Sequence, residues 1–554
     1  MSVLFRPIRS CCLLALLLPG LGSTTPEPPP AAIFPPPTVE DALRVRISPG
    51  VMSWVADRLS KSSGLISAVS PRLLVLFCEN EGPLGDRDPI DAPFYRRPQP
   101  IRSVAIDLRE LLSDGGLKSI PLGDGIDGVA RVPDRIEDLQ GPFKVRAVLD
   151  FGLERGHDVP GNAVSTIAEV DLLPGRTDEI ELTIDEILEP EPLPRRDNLV
   201  WIELDSPILS AALGRPVKHR AGVALPPSYA DPNAERRFWP AVYVIPGFGG
   251  DERDALGWAS LQTDRTLAAS MPPAAFIVLD PEDPLGHHGF VDGDNMGPRA
   301  TALVEEFIPW LEKRFRLIDE PAGRMLHGHS SGAWSSIWLQ IQHPEVFGAC
   351  FASAPDPVDF SAFGTVDLLV DESLHEDPDG RPRPSYRSPI SADIDQIHMT
   401  VAEETAMEHA LAPDGTSGEQ WSAWNAMFSG RDPRTGLPRV GYDLSSGCID
   451  RAVVDEDWRR FDIAEWLRRD PEGVGRILRN RVRILCGSRD SYYLEEAVRR
   501  LDLALTEIAD THDLPEGPGW IEIIEGATHD TIVGPAMRQW LPEMTEFARA
   551  APGG

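Results

Sequence analysis

The feature that most constrains this chain is the pentapeptide Gly-His-Ser-Ser-Gly at residues 328–332. It follows the short strand-like run RMLH at residues 324–327 and precedes the helix-like stretch AWSSIWLQIQ. A serine on a sharp turn between a strand and a helix needs glycine two residues before and two residues after it, because side chains there would collide with neighbouring backbone. The pattern therefore predicts a strand, a tight turn that presents Ser330, and a helix.

The chain around this turn alternates between strands and helices. Strand-like apolar runs recur at long spacing, and helix-like stretches separate them: LVWIELD, AVYVIPGFGG, AAFIVLD, VRILCGSRD and WIEIIEGATHD. This alternation is typical of a doubly wound α/β sheet, and it predicts an α/β domain over residues 198–550. Residues 357–478 lack a good core strand, so we expect them to form a cap inserted over the active site.

The amino-terminal half has a different pattern. Residues 40–195 contain short β-like runs separated by Pro, Gly and Asp turns, which predicts an antiparallel β-sandwich domain. The acidic and proline-rich segment at 189–197 is the expected boundary.

The first residues have the layout of a targeting segment. Arg6 and Arg9 precede a short apolar run and then small residues, which predicts a signal peptide at 1–23 and an exported, secreted or periplasmic protein. Residues 24–39 are rich in proline and are expected to form an extended linker. No other segment has the roughly twenty apolar residues of a membrane-spanning helix.

Charge and cysteine content narrow the function further. A net charge of −34 argues against binding nucleic acid or an anionic membrane, which both require a basic surface. Four cysteines would remain after cleavage, so one disulfide is possible, but their spacing matches no zinc site and no cofactor is expected. The oligomeric state is left open.

Two polar residues complete a catalytic pattern with the serine. Asp490 follows the strand-like run VRILCGSR, and His529 follows WIEIIEGAT. A serine hydroxyl becomes nucleophilic when a histidine takes its proton and an acid orients that histidine. Ser330, Asp490 and His529 occur in the chain order that this chemistry has in α/β-hydrolases, and they are the predicted triad.

Other segments predict groups that would contact the substrate. The oxyanion of an acyl-transfer reaction needs backbone N–H donors, expected here from Ser331 and Phe248, with Gly249 as the alternative to Phe248. The loop at 279–299 is rich in polar residues, and His287, His288 and Asn295 are predicted to bind substrate. The same loop could instead bind a cation through its carboxylates or be a polar loop stabilised by its own turns.

These motifs resemble those of the esterase D-like putative esterase family, whose members include S-formylglutathione hydrolases, feruloyl and acetylxylan esterases and enterochelin esterases. The resemblance rests on VIPGFGG, on NMGPRATALVEEFIPWLEKRFRL, and on the GHSSG, GSRD and GATHD motifs. It implies an α/β-hydrolase fold, the Ser330–Asp490–His529 triad and no cofactor. The chain departs from the family pattern at Ser331, where Met or Leu is usual, and in its long predicted cap.

The expected function is therefore an exported serine esterase that forms an acyl-enzyme, acting on a small-molecule or glycan ester such as a carbohydrate or siderophore ester. Acyl transfer to a sugar or lipid acceptor uses the same triad and remains open. Peptidase activity is a third hypothesis. The non-enzymatic hypothesis is a binding protein whose triad is no longer active.

Overall fold

The computed structural model describes residues 43–61, 70–82, 85–91, 99–113, 119–152, 155–173, 179–391 and 394–552. The predicted signal peptide at 1–23 and the predicted linker at 24–39 lie outside these residues. None of the helices in the described ranges combines the length and apolar composition that a transmembrane span requires.

The amino-terminal part is built on one mixed sheet of nine strands, with the order β4-β1-β9-β7-β6-β2-β3-β5 and with β8 paired to β6. Its elements are β1 (Leu43–Ile47), α1 (Pro49–Lys61), β2 (Arg72–Glu79), β3 (Ile101–Ala105), α2 (Leu108–Ser113), β4 (Ile120–Pro121), β5 (Ala130–Val132), β6 (Gly141–Asp150), β7 (Ala163–Ser165), β8 (Ala168–Leu172) and β9 (Ile180–Ile187). The β-like runs of this part are strands, but the described strands all belong to one hydrogen-bonded sheet. The two-sheet sandwich is therefore not confirmed.

Strand β2 shows why this sheet needs a partner on each face. Alternate residues of a strand point to opposite faces, and β2 is buried along almost its whole length. Leu73, Val75 and Phe77 join a cluster that includes α1, whereas Leu74 and Leu76 pack against residues from much later in the chain. The second face is thus covered by the segment that the sequence predicts to be a cap.

The carboxy-terminal part contains a second sheet and several short strand pairs. Its strands are β10 (Leu199–Asp205), β11 (Lys218–Ala224), β12 (Ala241–Ile245), β13 (Ala275–Leu279), β14 (Glu282–Asp283), β15 (Gly286–His287), β16 (Asp292–Gly293), β17 (Gly297–Pro298), β18 (Arg324–His329), β19 (Ala349–Ser353), β20 (Pro384–Ser391), β21 (Ile394–Thr400), β22 (Val482–Gly487) and β23 (Trp520–Ile524). Eight of these form a sheet in the order β10-β11-β13-β12-β18-β19-β22-β23. The strands from β13 to β23 run parallel along this order.

Helices flank this sheet and connect its strands. They are α3 (Pro207–Leu213), α4 (Ala255–Thr263), α5 (Arg299–Ala302), α6 (Ile308–Phe315), α7 (Ser331–Gln342), α8 (Val401–Leu411), α9 (Gln420–Phe428), α10 (Arg451–Val453), α11 (Ile463–Arg469), α12 (Pro471–Arg481), α13 (Glu495–Thr511) and α14 (Val533–Ala550). A central parallel sheet with crossover helices confirms the predicted α/β-hydrolase fold. In such a sheet, ligand chemistry gathers at the carboxyl ends of the strands.

The predicted cap, residues 357–478, lies between β19 and β22. It contributes no strand to the eight-stranded sheet, as expected, and contains the β20–β21 hairpin and the helices from α8 to α11 together with most of α12. Helix α8 packs on the amino-terminal sheet through Met407, Ala410 and Leu411. The insertion therefore contacts both sheets of the molecule.

Aromatic residues of the insertion pack together and against the eight-stranded sheet's helix α7. Phe428 lies 5.2 Å from Trp334 of that helix and 5.1 Å from Trp458, measured between ring centroids. Trp458 and Phe428 are almost fully buried. Most of the insertion's aromatic side chains are thus core residues, whereas Trp421 and Trp424 also line a cavity that contains Ser330.

Candidate active site

Ser330 sits at the junction of β18 and α7 in a strained backbone conformation. Its φ is 57° and its ψ is −127°, a combination that non-glycine residues rarely adopt. Its N–H donates to the Ser353 carbonyl at 3.0 Å, and its own carbonyl accepts from Ala333 and Trp334 at the start of α7. These backbone bonds hold the turn, as expected for a nucleophile presented at a strand-to-helix junction.

The two flanking glycines are required by close backbone contact. A Cβ atom on Gly328 would lie 2.1 Å from the Gly332 carbonyl oxygen, and one on Gly332 would lie 2.0 Å from the Ile245 carbonyl oxygen. Both distances are far below any real contact, so a side chain at either position would displace the backbone. The Gly-x-Ser-x-Gly spacing therefore has a direct steric cause.

His529 and Asp490 are brought together although 39 residues separate them in sequence. His529 Nδ1 lies 2.8 Å from Asp490 Oδ2, and the two residues are 3% and 0% exposed. A carboxylate on Nδ1 keeps the proton on that nitrogen and leaves Nε2 available to accept one.

The surroundings of His529 favour its protonated form. Burial lowers the pKa of His529, but Asp490, with Asp530 and Asp356, raises it above its ordinary value of 6.5. The ring also contacts His329, at a centroid distance of 4.5 Å, and Tyr492, at 4.9 Å. An imidazolium formed at His529 during a reaction would be stabilised by these carboxylates.

Ser330 and His529 line the same cavity of about 2880 Å³. Within the described residues, no hydrogen bond joins Ser330 Oγ to the His529 ring. Hydrogen bonds of this kind are often long before substrate binds and shorten in the complex. His329, the residue before Ser330, bonds to Ser353 Oγ at 2.9 Å and packs its ring against that of His529.

The loop after β12 approaches the serine from a second direction. A Cβ on Gly247 would lie 3.2 Å from Ser330 Cβ, so glycine permits this approach. The Gly249 N–H donates to Glu282 Oε1 at 3.3 Å and is therefore already engaged. The Phe248 N–H has no acceptor among the described residues, which favours Phe248 over the alternative, Gly249, as an oxyanion donor. Ser331 contributes the first N–H of α7, which has no acceptor within its own helix.

The three predicted substrate-binding residues lie elsewhere. His287, His288 and Asn295 are buried and are not part of the cavity lining. His287 Nε2 bonds to the Pro246 carbonyl at 3.0 Å, and its Nδ1 accepts from the Gly289 N–H at 3.1 Å, so both ring nitrogens are used inside the protein. Burial lowers the pKa of His287 to about 4, which keeps this ring neutral.

The other two residues also bond within the protein. His288 Nδ1 accepts from the Phe290 N–H at 3.2 Å. Asn295 Nδ2 donates to the Ala426 carbonyl at 3.0 Å and to the Ser429 carbonyl at 2.8 Å, which ties its loop to the end of α9. A role in substrate binding therefore gains no support from their position, because each of the three stabilises the loops around the site.

Sequence reasoning missed Asp356, which follows β19. Its carboxylate accepts from Ser331 Oγ at 2.7 Å and from Trp424 Nε1 at 2.9 Å, and it lines the cavity with Ser330. Burial raises the pKa of Asp356, opposed by these hydrogen bonds. The available signal was its position, since it is an acidic residue shortly after a buried parallel strand next to the serine strand.

The sequence leaves one disulfide possible and predicts no metal site. Cys350, Cys448 and Cys486 are free thiols, so the structure shows no disulfide among these three. In the described ranges, no group of three or more His, Cys, Asp or Glu side chains is arranged to hold a metal ion.

Part of this chain is similar to a known protein family and to a bacterial protein. Residues 210–435 match the family model described as putative esterase. An uncharacterised protein of Bacillus subtilis (strain 168), YbbA, is 24% identical over 221 residues, which cover 35% of this chain and 84% of that protein. The match to the family includes Ser330, whereas Asp490 and His529 lie beyond it.

Solved structures of similar outline include esterases and hydrolases. A ferulic acid esterase is 14% identical, with a TM-score of 0.37, and covers 63% of this chain and 97% of its own. An S-formylglutathione hydrolase from Agrobacterium tumefaciens is 14% identical, with a TM-score of 0.34, and covers 63% of this chain and 95% of its own. These low TM-scores carry no information on substrate.

The family match confirms the resemblance inferred from the motifs. The matched segment contains the strained serine, its flanking glycines and the Gly-rich loop that faces it. Residues 210–435 thus match the putative esterase family, and the protein is a carboxylic ester hydrolase.

Proposed function

We propose that this protein hydrolyses a carboxylic ester with Ser330 as nucleophile, His529 as general base and Asp490 as the residue that orients His529. The observation that carries the proposal is the buried His529–Asp490 pair in the cavity that also contains the strained Ser330. A histidine oriented by a carboxylate and a serine held on a strand-to-helix turn are the parts that acyl transfer requires.

The reaction proceeds in two halves. His529 Nε2 takes the proton of Ser330 Oγ as the oxygen bonds to the ester carbonyl carbon, and the resulting imidazolium is stabilised by Asp490. The imidazolium then gives its proton to the departing alcohol as the ester C–O bond breaks, leaving an acyl-enzyme. Water, deprotonated by His529, attacks the acyl carbon, and the acid is released as Ser330 regains a proton.

The negative oxygen of each tetrahedral intermediate would be bound by the N–H groups of Ser331 and Phe248. Both are backbone donors of elements that meet at Ser330, and in the part of the chain that the structure describes neither has an acceptor of its own. Donors fixed in this way stabilise the developing charge without reorganising, and loss of one such donor typically costs about 10²–10³-fold in kcat.

The cavity supports a bulky ester. Trp424 lines it with Ser330 and packs edge-on against the buried Phe363 at a centroid distance of 4.7 Å, which gives one aromatic side chain on which a sugar or aryl ring can stack. A carbohydrate or siderophore ester is therefore the proposed substrate class. Export is proposed from the sequence of residues 1–23 alone.

Intact-mass measurement with a fluorophosphonate probe tests the nucleophile. We expect one covalent adduct on the wild-type protein and none on Ser330→Ala, together with hydrolysis of an aryl acetate that the same substitution abolishes. His343→Ala is the matched control, because His343 lies at the far end of α7 and outside the cavity. A folded wild-type protein that forms no adduct, or an adduct that persists in Ser330→Ala, would refute the assignment.

A further inference from the structure

We propose that the amino-terminal sheet supplies Arg155 as a positioning residue for the oxyanion loop, defined here as residues 246–250, so that the active site is complete only when both sheets are present. This inference rests on the proposed function. Arg155 lies in the connection between β6 and β7 of the amino-terminal sheet. Its guanidinium nevertheless lies over the Phe248 ring, with Cζ 4.4 Å from the ring centroid.

A second contact links Arg155 to the backbone of the same loop. Arg155 Nε donates to Glu282 Oε2 at 2.5 Å, and Glu282 Oε1 accepts from the Gly249 N–H at 3.3 Å. Glu282 therefore bridges the guanidinium to the residue next to Phe248. Arg155 thus holds both the side chain of Phe248 and the peptide that follows it.

These contacts are shielded from water. The side chains of Arg155 and Glu282 are 16% and 17% exposed, and that of Glu419, 3.6 Å from the guanidinium, is 4% exposed. Ion pairs in such surroundings are screened much less than those on an open surface. Burial lowers the pKa of Arg155, but Glu282 and Glu419 raise it by more. The net shift is upward, so the guanidinium stays charged.

The loop itself explains why an external residue is needed. It reads Pro-Gly-Phe-Gly-Gly, and Gly249 has a φ of 80°. Glycine adds conformational freedom, so a loop with three glycines does not fix the direction of the Phe248 N–H by itself. The Pro246 carbonyl is held from one side by His287, and Arg155 with Glu282 holds the other end.

A simpler explanation is that Arg155 only attaches one sheet domain to the rest of the chain. Arg72 provides a matched control for this explanation. It belongs to the amino-terminal sheet, is 6% exposed, and bonds across to Asp414 at 2.5 Å and Thr416 at 2.6 Å in the insertion. Arg72 does not line the cavity, so its loss should affect attachment without touching the oxyanion loop.

The experiment compares Arg155→Ala, Arg155→Lys and Arg72→Ala in the full chain, with kcat and KM measured for an aryl acetate. A misplacement of about 1 Å can cost 10²-fold in rate, and we expect Arg155→Ala to lower kcat by about 10- to 100-fold with KM changed by less than about 3-fold. Arg155→Lys should recover part of the loss, since lysine keeps the charge but lacks the planar group that stacks and bridges. Arg72→Ala should stay within about 3-fold of the wild-type kcat.

Inhibition by a trifluoromethyl ketone gives a readout that attachment alone would not change. This inhibitor forms a tetrahedral adduct whose oxyanion occupies the same donors, so its inhibition constant should rise in step with the fall in kcat. An unchanged kcat in Arg155→Ala, or an equal loss in Arg72→Ala, would overturn the inference. If Arg155→Ala does not fold, Arg155→Lys decides: a lower kcat supports the role and a wild-type kcat overturns it.

The same series separates this inference from the proposed function. Activity that survives in Ser330→Ala would refute the nucleophile. Activity that needs Ser330 but is unaffected by Arg155 would refute only the positioning role.

Discussion

The loops that follow β19 and β22 start at similar positions in the sheet, but their aspartates bond to different residues. Each leaves the carboxyl end of a parallel strand, and each carries a buried aspartate, Asp356 or Asp490, that is 5% or 0% exposed. Asp490 bonds to the His529 ring, whereas Asp356 bonds to Ser331 and Trp424. Residue type and burial therefore do not decide which carboxylate serves the histidine.

The partner of each aspartate depends on which strand pairs with the strand that precedes it. Strand β22 pairs with β23, whose following loop carries His529, so Asp490 emerges beside the ring. Strand β19 pairs with β18, which ends at the serine turn, so the Asp356 N–H lies 3.3 Å from the Ser330 carbonyl. One carboxylate therefore bonds to the proposed base, and the other bonds to the first residue of the helix whose N–H is a proposed oxyanion donor.

The largest expected effect comes from Asp490. Asp490→Asn should lower kcat by about 10⁴-fold, because an amide can donate a hydrogen bond to Nδ1 and so favour the wrong tautomer of His529. Steady-state kinetics on an aryl ester and the fluorophosphonate labelling rate would both report this loss. An equal loss of kcat in Asp356→Asn would mean that the two aspartates do not differ in their effect on catalysis.

Asp356→Asn should have a smaller effect, about a 10-fold decrease in kcat. The amide still accepts one hydrogen bond, but the negative charge that helps to raise the pKa of His529 is gone. The measurement is kcat/KM against pH, in which the acidic limb should move to lower pH than in the wild type. A limb that does not move would mean that Asp356 supports structure only.

The pH profile of the wild type follows from the same charges. His529 must be neutral to accept a proton, and its pKa is raised above 6.5, so kcat/KM should rise with pH through a midpoint above 6.5. The stability that protonated His529 contributes is complete below about pH 6.5 and is lost as pH rises through its folded-state pKa. A midpoint at or below 6.5 would contradict the carboxylate environment of this ring.

Ser331→Ala should have the smallest effect. It removes the hydrogen bond from Ser331 Oγ to Asp356 but keeps the backbone N–H of residue 331, so kcat should fall by no more than about 3-fold. The free energy of unfolding should fall by about 1–2 kcal/mol, because Asp356 loses one of its two hydrogen-bond donors. Urea denaturation would measure this change, and a large loss of kcat would give the Ser331 hydroxyl a direct role.

Local sequence patterns were sufficient for the eight-stranded sheet and the serine turn. The glycines at 328 and 332 are forced by backbone contacts at about 2 Å, and such a steric demand is visible in sequence wherever it occurs. The strands carry continuous apolar runs because both of their faces are covered. The amino-terminal strands were also recognisable, but their pairing into one sheet was not.

The features that the sequence did not predict depend on contacts between residues far apart in the chain. Arg155 belongs to a loop of one sheet and acts on a loop of the other, and nothing near it in sequence indicates Phe248 or Glu282. The sequence predicts that the polar loop residues His287, His288 and Asn295 bind substrate, but their side chains form hydrogen bonds inside the protein.

The sequence alone determined that a serine lies on a tight turn after a buried strand, and that an aspartate and a histidine follow two later strands. Steric limits and apolar runs involve residues close together in the chain, so they are visible as short sequence motifs. Only the tertiary structure decided that Asp356 bonds to Ser331 and that Arg155 reaches the oxyanion loop. Those choices depend on which strands are neighbours and how two sheets pack, and contacts between distant residues leave no fixed spacing in the chain.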